Sequence, residues 1–340
     1  MSNNERSDRC LRVAVSGSSG LIGGALCRHL ASQGYEVVRL VRPGSQPAAE
    51  HPTEEAAPGP ATNASAVQVA KPHTPSTLEW DPNQGLTEPD HWNQIDCVVH
   101  LAGHSIAAGR WTAAEKQRIR DSRVAATRRL VAQLLTVHHP PRVMISASAV
   151  GIYGDRGRDL VDERDPPASE FLANVASDWE EACQPLAQAG IRVAHPRFGI
   201  VLSPEGGALG KVLPLFRWYA AGRLGSGDQY WSWIALPDCI RGLQWLIETP
   251  DASGPYNLVA PQPVTNAHFT RAVAEAVGVK APLPVPAWAL RLGLGEMADA
   301  LLLCSCRVMP RRLTQAGFTF DYPRLEEFLQ SALRSPSTSH

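Results

Sequence analysis

Residues 11–34 read LRVAVSGSSGLIGGALCRHLASQG, and this stretch decides the fold. The run from Leu11 to Val15 is short, apolar and rich in β-branched side chains, which predicts a buried strand. Apolar residues then recur at helical spacing from Leu21, and Gly34 is a helix stop signal. A second apolar run over 35–41, YEVVRLV, predicts the next strand. The chain therefore opens with strand, glycine turn, helix and strand, the beginning of a βαβ unit.

Three glycines lie three residues apart between the predicted strand and the predicted helix. In nucleotide-binding folds such glycines let the chain turn sharply, let the backbone approach a pyrophosphate and let the helix pack closely on the sheet. The helix N-terminus adds free amides and the positive end of its dipole. An ordinary tight turn is the alternative interpretation, but the position after the first strand favours a phosphate site. Its predicted residues are Gly17, Ser18, Ser19, Gly20, Leu21, Ile22 and Gly23.

The end of the second predicted strand indicates which dinucleotide binds. An NAD site usually places Asp or Glu about 20 residues after the glycines, where it accepts the ribose 2′-hydroxyl. This chain has Arg42 there, with Arg39 on the same strand. A guanidinium offers permanent charge and bidentate donors to a 2′-phosphate, which favours NADP(H). Because arginine is abundant, with 28 residues against 4 lysines, a solvated strand-end charge is the alternative for Arg42.

Length and composition indicate a globular, enzyme-sized chain. Its 340 residues are 44% hydrophobic and 19% charged, with a net charge of −1, so we expect no nucleic-acid or anionic-membrane partner. Apolar runs are too short to span a bilayer and the polar start does not resemble a signal peptide, so we expect a cytoplasmic protein. Seven scattered cysteines without paired spacing predict reduced core thiols and no metal site.

Strands and helices alternate along most of the chain. This alternation predicts an α/β fold with a Rossmann-type, doubly wound parallel sheet. The strand predicted over 95–101 ends in Ala102-Gly103, and small residues at such a strand end leave room for a nucleotide. The remaining predicted elements are strands at 77–80, 142–147 and 192–196 and helices at 112–137 and 170–189.

Changes in composition divide the chain into regions. Residues 11–196 form the predicted NADP-binding domain, in which the Pro-, Ala-, Ser- and Thr-rich segment 43–76 predicts a disordered insertion. Residues 197–332 are rich in Gly, Pro and aromatic residues and predict a smaller C-terminal substrate lobe, interleaved with the last sheet elements. Residues 1–10 and 333–340 are expected to be flexible.

Several ordered motifs resemble the extended short-chain dehydrogenase/reductase superfamily, which includes sugar-nucleotide epimerases and dehydratases. More narrowly, the chain is similar to the atypical branch called epimerase family proteins, over nearly its whole length outside the insertion and the tails. The motifs are SGSSGLIG at 16–23, LAGHSI at 101–106, RWT at 110–112, SRV at 122–124, SASAVGIYGD at 146–155, DWEEA at 178–182, RFGIVLSPEGGALGKVLPLFR at 197–217, LGSGDQYWSWI at 224–234 and GPYNLVAPQPVTN at 254–266.

The resemblance implies how the cofactor is held. NADP(H) would bind the glycine turn and Arg42, with Leu101 and Ala102 flanking the adenosine ribose and pyrophosphate beside Gly103. The resemblance also implies that Arg123 reaches the cofactor region from its helix, and an interior ion pair with a carboxylate is the alternative. Arg197, at a strand end, faces the nicotinamide or caps the sheet.

The resemblance also implies an acid/base group, and here the chain departs from the pattern. Reductases and epimerases of this superfamily use a serine that hydrogen-bonds the substrate and a tyrosine that moves the proton, with a lysine four residues later. The lysine is needed because an unperturbed tyrosine, with a pKa of about 10, is a poor base at neutral pH. The helix expected to carry the pair reads EFLANVASDWEE, and no Tyr-x-x-x-Lys occurs anywhere in the sequence. Ser148 matches the serine position, or is a small residue tolerated in a crowded turn.

Two functional hypotheses follow. In the first, the chain is an NADP(H)-dependent oxidoreductase or epimerase in which another group handles the proton: Tyr153, an ordered water held by Ser148, Lys211 or Tyr230. In the second, it binds NADP(H) without turnover, as a redox sensor or partner-binding protein. The Gly-rich later lobe resembles an enclosing pocket for a small-molecule substrate, which favours the first and makes Ser148 and Tyr153 the candidate catalytic residues. The long predicted helices are compatible with a homodimer, common in this superfamily.

Overall fold

The computed structural model describes residues 10–44, 76–86, 89–218, 221–280 and 284–333. The predicted flexible ends and the predicted insertion lie outside these ranges except for their edge residues. No helix in the described ranges is both long enough and apolar enough to cross a bilayer.

Short strands follow one another along the described chain. They are β1 Arg12–Ser16, β2 Glu36–Val41, β3 Ser76–Asp81, β4 Gly85–Leu86, β5 Cys97–His100, β6 Val143–Ser146, β7 Ser148–Ala149, β8 Leu160–Val161, β9 Arg192–Phe198, β10 Ile200–Ser203, β11 Tyr230–Trp231, β12 Trp233–Ala235, β13 Gly254–Leu258, β14 Val264–Thr265 and β15 Arg307–Val308.

Helices connect most of these strands. They are α1 Leu21–Ser32, α2 Pro89–Trp92, α3 Ala113–Arg120, α4 Ala126–Leu134, α5 Phe171–Glu181, α6 Gln184–Gln188, α7 Gly207–Arg217, α8 Leu236–Glu248, α9 Asn266–Val277, α10 Ala287–Leu294, α11 Arg311–Gln315 and α12 Leu325–Leu333, with a 3₁₀ turn at Val150–Tyr153 and π-helical turns at Asp121–Ala125 and Ala298–Leu303.

Within the described ranges, the largest sheet has nine strands in the order β13-β9-β6-β5-β1-β2-β3-β4, with β7 paired to β9. Its pairings are parallel except for β3 with β4. The chain starts in the middle at β1, runs outward through β2 and β3, and returns to the other side of β1 at β5. Nucleotides bind at such a reversal, outside the carboxyl ends of the strands. The predicted doubly wound α/β fold is confirmed.

The central strands are buried because helices cover both faces of the sheet. All residues of β5, CVVH, and of β6, VMIS, are buried, the continuous pattern of a parallel sheet. Along β1 the side chains alternate between the two layers: Val13 and Val15 lie in the core that includes α1 and α8, whereas Ala14 lies in the core that includes α4. One short strand therefore ties both helical layers to the sheet.

Two predicted long helices are interrupted. The helix predicted over 112–137 consists of α3 and α4, joined by the π-helical turn Asp121–Ala125. The helix predicted over 170–189 is divided into α5 and α6, and Pro185 lies in the first turn of α6. Proline lacks the amide that an uninterrupted helix would use there, so it starts a new helix.

The C-terminal part of the chain packs around a core of its own. Small two-stranded sheets join β10 to β12, β11 to β14 and β8 to β15, and Trp233, Phe269 and Phe328 fill the space between the surrounding helices. β13 instead pairs with β9 in the large sheet, so the later part of the chain also completes the first sheet. A separate substrate lobe stays a prediction.

The cysteine thiols are free in the described residues. Five of them are buried, at positions 27, 97, 183, 239 and 306. Burial raises the pKa of these thiols because the charged thiolate is poorly solvated in the interior.

The glycine turn joins β1 to α1 through close backbone contact. Gly17 has a φ of 68°, a left-handed conformation that favours glycine. A Cβ atom on Gly23 would lie 2.2 Å from the carbonyl oxygen of Gly17. Because that neighbour is main chain, a side chain at Gly23 cannot be accommodated without moving the turn.

We expect Gly23→Ala to lower the free energy of unfolding by about 1–3 kcal/mol, the usual cost of overpacking. Gly24→Ala is the matched control, since its Cβ would meet Ser18 and Arg28 atoms only at 3.4 and 3.7 Å and alanine favours a helix by about 0.5–1 kcal/mol. Urea unfolding of both variants measures the difference. Equal stability of the two variants would contradict the packing argument.

Candidate functional site

Two adjoining compartments lie along the carboxyl edge of the sheet. The outer compartment has a volume of about 540 Å³ and is lined by residues 17–20, 39–42 and 101–103 with Trp80 and Pro82. The inner compartment, of about 570 Å³, begins at the same glycine turn and continues toward α5 and α7. Gly17, Gly20 and Leu101 line both, so the compartments form one extended cleft.

The predicted phosphate-site residues come together at the junction. Ser18 and Ser19 line the outer compartment, and Leu21, Ile22 and Gly23 line the inner one. Helix α1 starts after Gly20, whose position as N-cap provides no side-chain hydrogen bond to the first turn. The first amides of α1 are therefore left for a ligand, as anion binding at a helix N-terminus requires.

The backbone at this junction is close enough to form a cradle. A Cβ atom on Gly17 would lie 2.9 Å from the carbonyl carbon and oxygen of Leu101. The loops after β1 and β5 thus approach each other main chain to main chain, and Gly17 has no side chain to fill the space between them. This geometry fits a pyrophosphate, and the groups around it fit a dinucleotide.

Two arginines reach the outer compartment, Arg39 from β2 and Arg42 from the position directly after it. Register pairs Ser16 with Leu40 on one side and with His100 on the other, so the ends of β1, β2 and β5 are level. Arg39 and Arg42 therefore line the same space as residues 101–103. The outer compartment combines two cations with main-chain amides, which suits a phosphate-bearing ligand.

The inner compartment is mostly apolar. Helix α5 turns one face toward it, formed by Leu172, Val175, Ala176 and Trp179. Leu172 and Ala176 are four residues apart, the spacing that a Tyr-x-x-x-Lys pair would need. Among the described residues, the polar side chains lining this compartment belong to Ser105, Arg123 and Ser148.

Ser148 lies on the wall of the inner compartment and is held by a carboxylate. Its hydroxyl donates to Glu180 Oε1 at 2.7 Å. Glu180 in turn receives two hydrogen bonds from Arg197, at 2.7 Å from Nε and 2.8 Å from Nη2. Because its proton is committed to Glu180, Ser148 offers lone pairs to the compartment as a hydrogen-bond acceptor.

The comparisons with known proteins agree with this geometry. A family model described as the NAD dependent epimerase/dehydratase family matches residues 13–259. The chain belongs to this family. A second model, described only as a domain of unknown function, DUF1731, matches residues 285–332.

Relatives named as epimerase family proteins match nearly the full length of the chain. Epimerase family protein Mb2239 of Mycobacterium bovis is 41% identical over 95% of this chain and 98% of its own. Epimerase family protein YfhF of Bacillus subtilis is 31% identical over 96% and 100%. The solved structure of human epimerase family protein SDR39U1 with NADPH superposes with a TM-score of 0.79 at 28% identity, covering 95% of this chain and 99% of that one.

The structure places two of the expected site residues, Tyr153 and Arg197, behind the cleft. Tyr153 is 0% exposed and lines neither compartment. Its hydroxyl donates to Asn257 at 2.8 Å and accepts from Arg197 Nη1 at 2.8 Å, and burial raises its pKa to about 12. Arg197 is likewise buried in its ion pair with Glu180 and lines neither compartment. Both side chains belong to an interior hydrogen-bond chain that links Glu180, Arg197, Tyr153 and Asn257.

The other candidate proton donors also lie outside the two compartments. Lys211 and Tyr230 line neither compartment, and the Tyr230 ring lies 4.9 Å beneath the guanidinium of Arg307. The residue that sequence reasoning missed is Glu180. Its signal was the acidic pair Glu180-Glu181 at the end of α5, since a buried arginine such as Arg197 in β9 requires a carboxylate partner.

Arg123 does reach the inner compartment, from the π-helical turn Asp121–Ala125. Its Nη1 donates to the carbonyl oxygen of His104 at 2.9 Å, and its guanidinium lies 5.3 Å from the ring of Trp179. No carboxylate among the described residues forms an ion pair with Arg123. Burial lowers its pKa to about 10.

A buried histidine supports the loop after β5. The hydroxyl of Ser16 lies 2.7 Å from His100 Nδ1, and the Ser16 oxygen accepts from the amides of Leu101 and Ala102 at 3.1 and 3.2 Å. Since the oxygen is accepting, its proton points to Nδ1, which must be the unprotonated ring nitrogen. Burial lowers the pKa of His100 to about 4, so the ring is neutral.

The His100 environment predicts a pH-dependent stability. The folded pKa of about 4 lies below the ordinary histidine pKa of 6.5, so the unfolded chain binds more protons and stability falls as pH drops from 6.5 toward 4. We expect His100 to account for roughly 2 kcal/mol of lost stability between pH 7.5 and pH 5. Urea unfolding of wild type and His100→Asn at both pH values measures this. The same loss in both proteins would exclude His100 as its source.

Proposed function

We propose that this epimerase family member binds NADP(H) along the whole cleft and uses it for hydride transfer to or from a small molecule. The adenosine end would occupy the outer compartment and the nicotinamide the inner one. The observation that carries this proposal is the shared glycine turn, which lies between a cationic compartment and an apolar one. A dinucleotide has the same order of parts, with a pyrophosphate between two different ends.

The cations support NADP(H) over NAD(H). Arg39 and Arg42 line the outer compartment, and guanidinium groups suit the 2′-phosphate that distinguishes the two cofactors. Gly17, Ser18, Ser19, Gly20, Leu21, Ile22 and Gly23 would hold the pyrophosphate region, and Leu101, Ala102 and Gly103 would flank it. The human relative solved with NADPH supports the same choice.

The inner compartment suits a nicotinamide ring and a substrate. Bound NADPH supplies a hydride, and the protein has to orient the acceptor and exclude water. Ser148 is the hydroxyl that Glu180 fixes in direction. We propose that Ser148 holds the substrate or an ordered water through its lone pairs, and that this water exchanges the proton. Proton exchange would then not require the tyrosine and lysine that are missing from α5.

A specific observation favours a second candidate, binding without turnover. None of the described residues lining the inner compartment is Tyr, His, Lys, Asp or Glu. General acid/base catalysis usually contributes about 10²–10⁴-fold to rate, so a compartment without such groups suits a redox sensor. Measured turnover decides between the two candidates.

We expect Arg42→Ala to weaken NADPH binding by about tenfold to a hundredfold, since hydrogen bonds to charged groups contribute about 1.5–3 kcal/mol. NADH affinity should stay unchanged because NADH lacks the 2′-phosphate. Fluorescence titration of both cofactors measures the two affinities. Arg28→Ala, an exposed arginine on α1 outside the cleft, is the control. An equal loss for NADPH and NADH would remove Arg42 from the 2′-phosphate role.

We expect wild-type protein to oxidise NADPH with at least one member of a panel of carbonyl compounds, followed by absorbance of the reduced nicotinamide. Ser148→Ala should lower kcat by about tenfold or more with NADPH affinity unchanged, because a positioning contact is lost. Sugar-nucleotide products need separate analysis, since an epimerase returns its hydride. Tight NADPH binding with no turnover in either assay supports the sensor instead.

A further inference from the structure

The lining of the inner compartment limits the substrates that it can bind. Its walls are formed largely by aliphatic and aromatic side chains, among them Leu21, Ile106, Leu172, Val175 and Phe198. A hexose carries several hydroxyl groups, and each would lose its hydrogen bonds to water on entering these walls. Ser105 and Ser148 are the hydroxyl side chains available among the described lining residues. The compartment therefore suits a mainly apolar molecule better than a sugar.

Among the described lining residues the one charge belongs to Arg123, and the Nη1 nitrogen of its guanidinium is already hydrogen-bonded. Nη1 donates to the carbonyl oxygens of His104 and Ile119, at 2.9 and 3.2 Å. These contacts fix the plane of the group, and the cation–π contact with Trp179 supports its face. The Nε and Nη2 edge has no acceptor among the described residues, and neither nitrogen is a sealed-off buried atom.

The ion pair of Arg197 shows what this edge is suited to bind. Arg197 donates from Nε and Nη2 to the two carboxylate oxygens of Glu180, at 2.7 and 2.8 Å. This side-on fork is the strong geometry for a carboxylate. Arg123 lines the inner compartment, and its own Nε and Nη2 have no carboxylate partner among the residues that the structure describes. A half-buried, fixed guanidinium of this kind is stabilised by an anion that arrives with the ligand.

We propose that the inner compartment takes an apolar monocarboxylic acid, whose carboxylate is bound side-on by the Nε and Nη2 edge of Arg123. This inference rests on the proposed function, because it names the substrate class of the same site. One guanidinium neutralises one negative charge, so a monoanion leaves no excess charge in the apolar lining, whereas a phosphate dianion would. The hydrocarbon part of the acid would lie against the face of α5 that carries Leu172 and Val175.

A second source of negative charge is the cofactor itself. Gly103 lies next to the guanidinium, since a Cβ atom on Gly103 would be 3.3 Å from the central carbon of Arg123. A cofactor phosphate and a substrate carboxylate are both anions that this fork could bind. If Arg123 binds a cofactor phosphate, the affinity for NADPH depends on it; if Arg123 binds a substrate carboxylate, the affinity for the acid does.

The test uses calorimetric titration of full-length protein saturated with NADP⁺. The probes are trans-cinnamate and octanoate, with their uncharged amides as controls and UDP-glucose as a sugar nucleotide. Arg123→Met removes the charge, and Arg123→Lys keeps a charge without the fork. Arg128→Met is the matched control, because Arg128 is exposed on the adjoining helix and lines neither compartment. NADPH affinity is measured on every variant.

We expect wild type and Arg128→Met to bind at least one acid about tenfold or more tightly than its amide. Arg123→Met should abolish this preference and Arg123→Lys should reduce it, with NADPH affinity unchanged in both. The inference is overturned if wild type binds neither acid, if acid and amide bind equally, if UDP-glucose binds more tightly than the acids, or if both Arg123 variants keep the preference. It is also overturned if Arg123→Met weakens NADPH and leaves acid binding unaltered, which assigns the guanidinium to a cofactor phosphate.

The proposed function fails by a different result. Wild-type protein that binds neither NADPH nor NADH would remove the cofactor site, while titration of the cofactor-free protein with the same acids and amides would still decide the role of Arg123.

Discussion

The site depends on main-chain contact between the loops that follow β1 and β5. At Gly17 the backbone is so close to Leu101 that a single added carbon would lie 2.9 Å from its carbonyl group, and at Gly23 the helix leaves 2.2 Å between such a carbon and the Gly17 oxygen. Absence of side chains at these two positions keeps α1, β1 and β5 in place together. The outer and inner compartments meet above this contact, since Gly17 and Leu101 line both of them.

Burial determines which polar groups remain available on either side of that junction. Ser16 accepts from the amides of Leu101 and Ala102 below the cleft and is itself hydrogen-bonded to His100, so the loop after β5 is held from the interior. Glu180 and Arg197 neutralise each other and, with Tyr153 and Asn257, form a hydrogen-bond chain behind the wall. The chemistry left on the inner wall is then a serine whose proton is committed and an arginine with an open fork.

The inner wall differs from the tyrosine and lysine arrangement that the family resemblance implies for catalysis. The helix that would carry tyrosine and lysine turns Leu172 and Ala176 toward the cleft, while the tyrosine that follows Ser148 is drawn into the interior. The glycine turn and the strand-end arginines keep the pattern expected for a dinucleotide. Within one cleft, the outer compartment therefore matches what the resemblance implies, whereas the apolar lining of the inner compartment departs from it.

Local patterns in the sequence determined the order of strands and helices and the position of the glycine turn. Alternating strands and helices, the glycine turn at 17–23 and the position of Arg42 depend on neighbours close along the chain, so they predicted the doubly wound sheet and the lining of the outer compartment. The roles of Arg197, Tyr153 and Arg123 were decided only by the tertiary structure. Glu180 is 17 residues from Arg197 and Asn257 is 104 from Tyr153 along the chain, and no local spacing indicates which arginine meets a carboxylate. Since an ion pair needs its partner within a few ångströms, the fold decides the outcome: Glu180 on α5 meets Arg197 on β9, whereas no carboxylate among the described residues meets Arg123.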